Sequence, residues 1–210
     1  MQVLFTYLGY VVYVVLALLA LWGAYCVIMV WRRVAQTRFS DEHEQEEFLT
    51  ELEQTLEAEN YNAATELCDG DRRAMPQLAM YAINNRELGY ERVRRRVGER
   101  FQQDVMSDIE HRLSWVTTVI KSAPMIGLLG TVMGMMGAFS NLSSGEKVDT
   151  IKMAEDIQFA LITTACGLAI AVPLVLCTAS INIRLTKMED LIGSGLGRLF
   201  ESMKVILSRA

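Results

Sequence analysis

The stretch GLLGTVMGMMG, Gly127 to Gly137, lies in the middle of a long apolar run and decides the fold of this chain. Glycine disfavours a helix by about 1 kcal/mol relative to alanine, yet the stretch carries four glycines around a central threonine. Placed on a helix, Gly127, Gly130, Gly134 and Gly137 fall within an arc of about 80°. Because helices in lipid associate through close backbone approach, this one-sided stripe predicts a helix-helix contact inside a membrane.

Three apolar runs in the sequence contain no charged side chain. They extend from Val3 to Trp31, from Ser122 to Phe139 and from Ile157 to Ile183. Since about 20 apolar residues suffice to cross a bilayer, the runs predict three transmembrane helices. No basic segment precedes the first run, which is also too long for the apolar region of a signal peptide, so we interpret it as a retained N-terminal anchor.

The sequence predicts an all-α membrane protein in which three transmembrane helices extend into a helical cytoplasmic domain. Basic residues follow the first span at Arg32 and Arg33 and the third span at Arg184 and Lys187, which predicts an outer N-terminus and a cytoplasmic C-terminus. The predicted boundaries are transmembrane helix 1 over 1–31, the cytoplasmic domain over 32–115, transmembrane helix 2 over 116–140, an outer loop over 141–156, transmembrane helix 3 over 157–183 and a cytoplasmic C-terminal helix over 184–210.

The charges between the first two spans are segregated. From Asp41 to Asp71 there are twelve acidic residues and no lysine or arginine, whereas from Arg72 to Arg100 there are eight arginines and three glutamates. Solvated helix faces would explain both runs. Alternatively, acidic and basic helices pair, either within one chain or between the neighbouring copies of a symmetric ring.

The residues that several other function classes need are missing from the sequence. Its four cysteines form no CxxC pair, so neither a disulfide framework nor a metal site is indicated. The net charge of -5 does not indicate nucleic-acid binding. With only two histidines, and HEQEE rather than HExxH at His43, the sequence offers no nucleophile with a base, and we expect no enzyme.

Three threonines accompany the glycines of the second and third spans. Thr131 lies about 40° from Gly127 on the helical wheel, beside the glycine stripe. Its hydroxyl could bond back to the carbonyl of Gly127, as is common in spanning helices. In the third span, the stretch LITTACG places Thr163 and Thr164 just before Gly167.

The threonines of the two spans are predicted to lie at one depth. Thr131 is eight residues from Phe139 and Thr164 is seven residues from Ile157, so the hydroxyls lie roughly 12 and 10 Å below the outer boundary. Such a polar patch can join the helices, or it can serve an ion or a partner side chain. The spans hold no Asp, Glu, Lys, Arg or His apart from their rims, so an ion path would take its carboxylate from another chain.

Two prolines interrupt the spans. Pro124 and Pro173 each remove one backbone hydrogen bond and tend to kink the helix. Such kinks are either structural or set the tilt of helices around a central cavity.

The stretches SAPMIGLLGTVMGMMGAF and ALITTACGLAIAVPLVL, within 122–176, resemble the two characteristic spans of the MotA/TolQ/ExbB proton-channel family. The similarity is greatest to its ExbB and TolQ branch. The resemblance implies a ring of five copies around two copies of an ExbD- or TolR-like partner, whose single helix carries an essential aspartate. It also implies that ion flow rotates one component against the other.

By position in these motifs, Thr131 and Thr164 match the family's pore threonines, which face the partner aspartate. Thr163 matches an alanine of many proton-driven members and a threonine of sodium-driven flagellar members, so the transported ion, H⁺ or Na⁺, stays open. The family commonly has a glutamate five residues before Thr164, where this chain has Phe159. Whether Glu155 or Asp156 replaces that glutamate also stays open.

The function expected from this resemblance is an ExbB/TolQ-like channel subunit of a motor in the bacterial inner membrane, with the N-terminus in the periplasm. Its expected partners are four further copies of itself, the ExbD/TolR-like protein, a TonB- or TolA-like periplasmic effector and membrane lipid, with no nucleic acid. No cofactor is expected besides the transported ion. The alternatives are a flagellar-stator-like or gliding-type motor subunit and a non-conducting membrane scaffold.

Overall fold

The computed structural model describes residues 2–39, 41–143 and 150–207, which form helices and no strand. This confirms the predicted all-α fold. A 3₁₀-helix, Arg86–Leu88, precedes α5, and a π-helical segment, Phe101–Met106, joins α5 to α6. The α-helices are α1 (Gln2–Thr37), α2 (Glu42–Glu57), α3 (Tyr61–Cys68), α4 (Ala74–Asn84), α5 (Tyr90–Arg100), α6 (Ser107–Ser143) and α7 (Thr150–Leu207).

Three of these helices, α1, α6 and α7, are long and apolar enough to cross a membrane. The chain divides into two compact units. The first, called here the membrane unit, comprises residues 1–29 and 112–180. The second, called here the polar unit, comprises residues 30–111 and 181–210.

The helices extend further than the sequence boundaries. Helix α7 begins at Thr150, so residues 150–156 of the predicted outer loop are helical, while residues 144–149 lie outside the described part of the chain. Helix α7 also continues through the third span into the predicted C-terminal helix, of which 208–210 are not described. Extending an existing helix is favourable residue by residue, and neither a proline nor a glycine separates Thr150 from the third span.

Local chemistry explains the start and the buried face of α2 in the polar unit. The Asp41 carboxylate accepts a hydrogen bond from the Glu42 amide at 2.8 Å and caps the helix. Three leucines at helical spacing, Leu49, Leu52 and Leu56, are buried. Acidic residues occupy the opposite face.

The buried Gln45 and the half-buried Arg73 find partners inside the polar unit. The Gln45 side chain donates to the Leu191 carbonyl at 2.6 Å and connects α2 to α7. Arg73 lies 4.0 Å over the Phe39 ring and pairs with Glu44 and Asp71.

Burial raises the pKa of the Cys68 thiol to about 11, so this thiol stays protonated at neutral pH.

The two charged runs meet at Arg73, which belongs to the basic run and pairs with Glu44 and Asp71 of the acidic run, whereas no arginine of α5 pairs with α2 in the described part of the chain. The acidic helix α2 uses Glu44 and Glu53, whose partners Arg73 and Arg198 lie outside α5. In the basic run, Arg95 pairs with Glu99 on its own helix. The structure therefore joins α2 to its surroundings through arginines other than those of α5.

Candidate functional site

Helices α6 and α7 meet along a line of small side chains, called here the small-residue seam. On α7, the seam follows the spacing of one helix face. Its α6 members are Ala123, Gly127, Gly130, Gly134 and Gly137, and its α7 members are Asp156, Ala160, Thr163, Thr164 and Gly167. The seam thus contains the five glycines that the sequence assigns to helix packing.

The glycines allow the two backbones to touch. A Cβ atom added at Gly127 would lie 2.8 Å from the Thr163 carbonyl oxygen, and one added at Gly167 would lie 2.6 Å from that of Ala123. At Gly134 it would lie 2.7 Å from the Asp156 carbonyl oxygen. These distances are shorter than carbon-oxygen contacts allow, so any larger residue would push the helices apart.

The threonine hydroxyls of α7 are directed at the backbone of α6. Thr163 is fully buried and donates to the carbonyls of Ala160 at 2.8 Å and Gly127 at 3.3 Å. Thr164 is half-buried and donates to the same Gly127 carbonyl at 3.0 Å. One carbonyl of α6 therefore accepts hydrogen bonds from both threonines across the seam.

Thr131 lies at the edge of the seam and is half-buried. Its hydroxyl donates to the Leu128 carbonyl at 2.6 Å, rather than to Gly127 as one interpretation of the sequence had it. Its chain neighbour Gly130 packs directly on Thr163, so the threonines of the two helices lie at one level. Of the three hydroxyl-bearing side chains, Thr131 and Thr164 retain accessible surface, whereas Thr163 is enclosed.

Phe159, which stands where the resemblance expects a glutamate, packs against α1. Its ring lies 3.1 Å from a Cβ atom built on Gly9. It also meets Tyr13 edge-to-face, with ring centroids 5.3 Å apart. The aromatic side chain fills a contact between α1 and α7 in which an unpaired carboxylate would be costly.

Asp156 is the site residue that the sequence boundaries missed, because they assigned it to the outer loop. In the structure it lies on α7, and its carboxylate atoms lie 3.3 to 3.6 Å from a Cβ atom built on Gly137. Its neighbour Glu155 is exposed. The spacing Asp156, Ala160, Thr163 and Gly167 repeats every three to four residues and was the signal that Asp156 shares their face.

The prolines lie inside helices that remain helical through them. Pro124, in α6, follows Ala123 at the inner end of the seam, where its Cα atom lies 3.2 Å from a Cβ atom built on Gly167. Pro173, in α7, is exposed. Pro124 thus contributes to the contact of the two helices, whereas Pro173 faces outward from the membrane unit.

The chemistry available at the seam is that of hydroxyls, carbonyls and one carboxylate. Threonine hydroxyls do not titrate near neutral pH, but they can solvate an ion or bind a carboxylate. Within residues 2–39, 41–143 and 150–207, no three His, Cys, Asp or Glu side chains are grouped as metal ligands.

Residues 72–193, which include the entire seam, match the MotA/TolQ/ExbB proton channel family. This match extends over more than half of the sequence. The chain belongs to this family. Its ion-path candidates Thr131, Thr163 and Thr164 all lie within the matched residues.

Curated relatives connect this member of the proton channel family with the ExbB and TolQ branch. The Tol-Pal system protein TolQ of Haemophilus influenzae is 36% identical over 104 residues, which are 50% of this chain and 44% of that protein. A Helicobacter pylori protein named ExbB-like 2 is 38% identical over 84 residues, which are 40% of this chain and 54% of that protein. The chain thus spans about half the length of these relatives.

Proposed function

We propose that this chain is an ExbB/TolQ-like channel subunit of an inner-membrane motor that couples the flow of protons, or of sodium ions, to work on the periplasm or outer membrane. The observation that carries the proposal is the pair of accessible threonines, Thr131 and Thr164, beside a seam of glycines in the family-matched region. Thr163 lies between them, and its one hydroxyl proton is shared between the Ala160 carbonyl of its own helix and the Gly127 carbonyl across the seam. Family membership and the names of the relatives support the same function.

The proposed active form is a ring of five copies around two copies of a single-span ExbD/TolR-like partner. Apart from Asp156 at the outer end of the seam, the α6 and α7 spans hold no acid, so a partner aspartate would supply the proton-carrying group. Thr131 and Thr164 would bind that carboxylate or its ion. A TonB- or TolA-like effector would transmit the motion in the periplasm, on the side of the chain's N-terminus.

Reconstitution of the chain with the partner tests this proposal. We expect that a small single-span protein with a membrane aspartate, encoded beside this chain, copurifies with it. In liposomes carrying a pH-sensitive dye, the complex should pass protons down an imposed gradient, and replacement of the partner aspartate by asparagine should stop the flux. Liposomes with the chain alone serve as the control.

The same assay separates the competing functions. A complex that assembles but passes neither protons nor sodium ions, under any gradient, would identify the chain as a scaffold. Flux that stops in sodium-free buffer would identify a sodium motor. Flux that persists there would identify a proton motor.

The proposed ion path includes Asp156 at its outer end, because this carboxylate lies against Gly137 while that of Glu155 is exposed. Asp156→Asn keeps the size of the side chain and removes its capacity to take up a proton. We expect it to lower the ion flux several-fold without loss of the assembled complex, whereas Glu155→Gln, the matched control, should leave the flux near the wild-type level. Equal fluxes for the two variants would remove Asp156 from the path.

A further inference from the structure

The outward face of α2 carries acids that have no role in packing the polar unit. Opposite the buried residues Gln45 and Leu49, the side chains of Glu46, Glu47 and Glu51 are exposed. The acids that pair with arginines, Glu44 and Glu53, flank this outward face, and within it Glu47 lies 3.7 Å from the His43 ring nitrogen on the same helix. We call Glu46, Glu47 and Glu51 the acidic face.

The outward face of α5 has the opposite charge. Val93 and Val97 are buried, and Arg92 and Arg96 lie one turn apart on an exposed side of the helix. Neither arginine makes an ion pair inside the described part of the chain. We call Arg92 and Arg96 the basic face. Arg94 is also exposed but lies about 160° from Arg96 on the helical wheel.

A common reference level in the polar unit allows the depths of the two faces to be compared. The Arg184 guanidinium lies 4.2 Å from the ring centroid of Trp31, the last residue of the first apolar run. Arg33, two residues further, pairs with Asp108 at 3.3 Å. Trp31, Arg184, Arg33 and Asp108 therefore define one level across α1, α6 and α7 within the polar unit.

The acidic face lies along α7 at a measurable distance from this level. Gln45 bonds to the carbonyl of Leu191, seven residues beyond Arg184. Glu53 pairs with Arg198, fourteen residues beyond Arg184. At about 1.5 Å per residue, the stretch between Gln45 and Glu53 lies roughly 10 to 21 Å from the reference level.

The depth of the basic face overlaps with that of the stretch between Gln45 and Glu53. Arg96 and Arg92 precede Asp108 by twelve and sixteen residues along the helical stretch that contains α5 and the π-helical segment. Their distance from the reference level is therefore roughly 18 to 24 Å.

We propose that the acidic face of one copy docks against the basic face of the neighbouring copy in the ring. Rotation about an axis normal to the membrane keeps every surface at its depth, so only faces at one level can meet between neighbours. The two faces overlap in depth at roughly 18 to 21 Å from the reference level and are complementary in charge. Because exposed ion pairs are individually weak, the contact sets the register of neighbouring copies rather than supplying most of their affinity. This inference rests on the proposed ring.

Thiol cross-linking in native membranes tests the contact. A chain carrying both Glu47→Cys and Arg96→Cys should give a ladder of cross-linked species up to the pentamer with a short bismaleimide, because every copy presents both thiols. A bismaleimide is preferred because an ion pair holds the Cβ atoms further apart than the about 3.5 to 4.5 Å of a disulfide. The control combines Glu47→Cys with Arg94→Cys and should stay monomeric, as should each single variant and the unaltered chain.

Charge reversal gives a second measurement. Arg92→Glu with Arg96→Glu should reduce the yield of pentamer, and adding Glu47→Arg with Glu51→Arg should restore it. Arg94→Glu should leave the yield unchanged. A ladder equally strong with Arg94→Cys, or a ladder with Glu47→Cys alone, would overturn the proposed pairing of faces. Quenching of a fluorophore at Arg96→Cys by spin-labelled headgroups would place α5 at the membrane and overturn it as well.

The outcomes also separate this inference from the proposed function. If the ring assembles and conducts ions but gives no ladder, the docking surfaces are wrong and the proposed function stands. If the chain stays monomeric and conducts no ions with its partner, the proposed function fails and the docking between copies fails with it.

Discussion

Gly130→Leu is expected to prevent most of the protein from folding, because it places a large side chain where two helices touch. A Cβ atom at this position would overlap the Thr163 hydroxyl and lie 2.6 Å from the Thr163 Cβ atom. Even one or a few extra methylene groups in a packed core cost about 1–3 kcal/mol. Leucine adds four carbon atoms here, so α6 and α7 would have to separate along the seam.

The experiment compares the yield of monodisperse protein and its melting temperature, followed by intrinsic fluorescence in detergent. Gly130→Ala should lower the melting temperature, although alanine usually stabilises a helix by about 1 kcal/mol over glycine. The matched control is Gly197→Ala, at a glycine of α7 with no atom within 4 Å of its added Cβ. This control should be neutral or stabilising. Similar melting temperatures for Gly130→Ala and Gly197→Ala would contradict the packing role of the seam.

The loss of stability caused by a glycine-to-alanine substitution should depend on the position of the glycine along the seam. At Gly137 the nearest atoms belong to the Asp156 carboxylate, at 3.3 Å, and a side chain can rotate away. At Gly127 and Gly134 the obstacle is backbone at 2.8 and 2.7 Å. We therefore expect Gly137→Ala to be the mildest of the seam variants.

The long helices and the glycine side of α6 could be predicted from the sequence because they depend on local pattern. Apolar length determines which segments can span a bilayer, and helical periodicity determines which glycines share a face. Both properties are independent of the partner helix. The level of Thr131 with the threonines of α7 also followed from counting residues to the outer ends of the two runs.

The partners of individual side chains could not be predicted in the same way. The wheel places Thr131 beside the seam, but the competition between the Leu128 and Gly127 carbonyls depends on Thr163 and Thr164 of another helix. Likewise, Asp156 was assigned to the loop because charge usually marks the end of a span. In the structure the helix continues through Asp156 and packs it against Gly134 and Gly137, a contact that a boundary drawn from hydropathy does not include.

Phe159 departs from the family pattern, and its packing in the structure gives a physical reason for the departure. From the sequence alone, Phe159 shows only that the glutamate common in the family is absent at this position. In the structure its ring closes on Gly9 and Tyr13 of α1, so the position serves packing between α1 and α7. The nearest acid that faces the seam is instead Asp156, one turn further out.

Thr164→Val is expected to reduce the ion flux several-fold, up to about tenfold, while the complex still assembles. The substitution removes the hydroxyl and keeps a branched side chain of similar shape. A neutral hydrogen bond contributes about 0.5–1.5 kcal/mol, and 1.4 kcal/mol corresponds to a tenfold change in a rate or an equilibrium. The Gly127 carbonyl still accepts from Thr163, so the loss of stability should stay below about 1.5 kcal/mol.

Thr163→Val is the matched control, because it removes the neighbouring hydroxyl from the same helix. Thr163 is fully buried and its hydroxyl is committed to the Ala160 and Gly127 carbonyls, so this variant should lose stability but retain most of the flux. Thr164→Ser keeps a hydroxyl, so this variant should conduct ions at close to the wild-type level. The variants are compared by their ion flux in reconstituted liposomes and by their melting temperatures. Suppose that Thr163→Val and Thr164→Val assemble in equal amounts and that both stop the flux. Solvent accessibility would then not distinguish the conducting threonine, and the ion path would have to pass through the seam between α6 and α7.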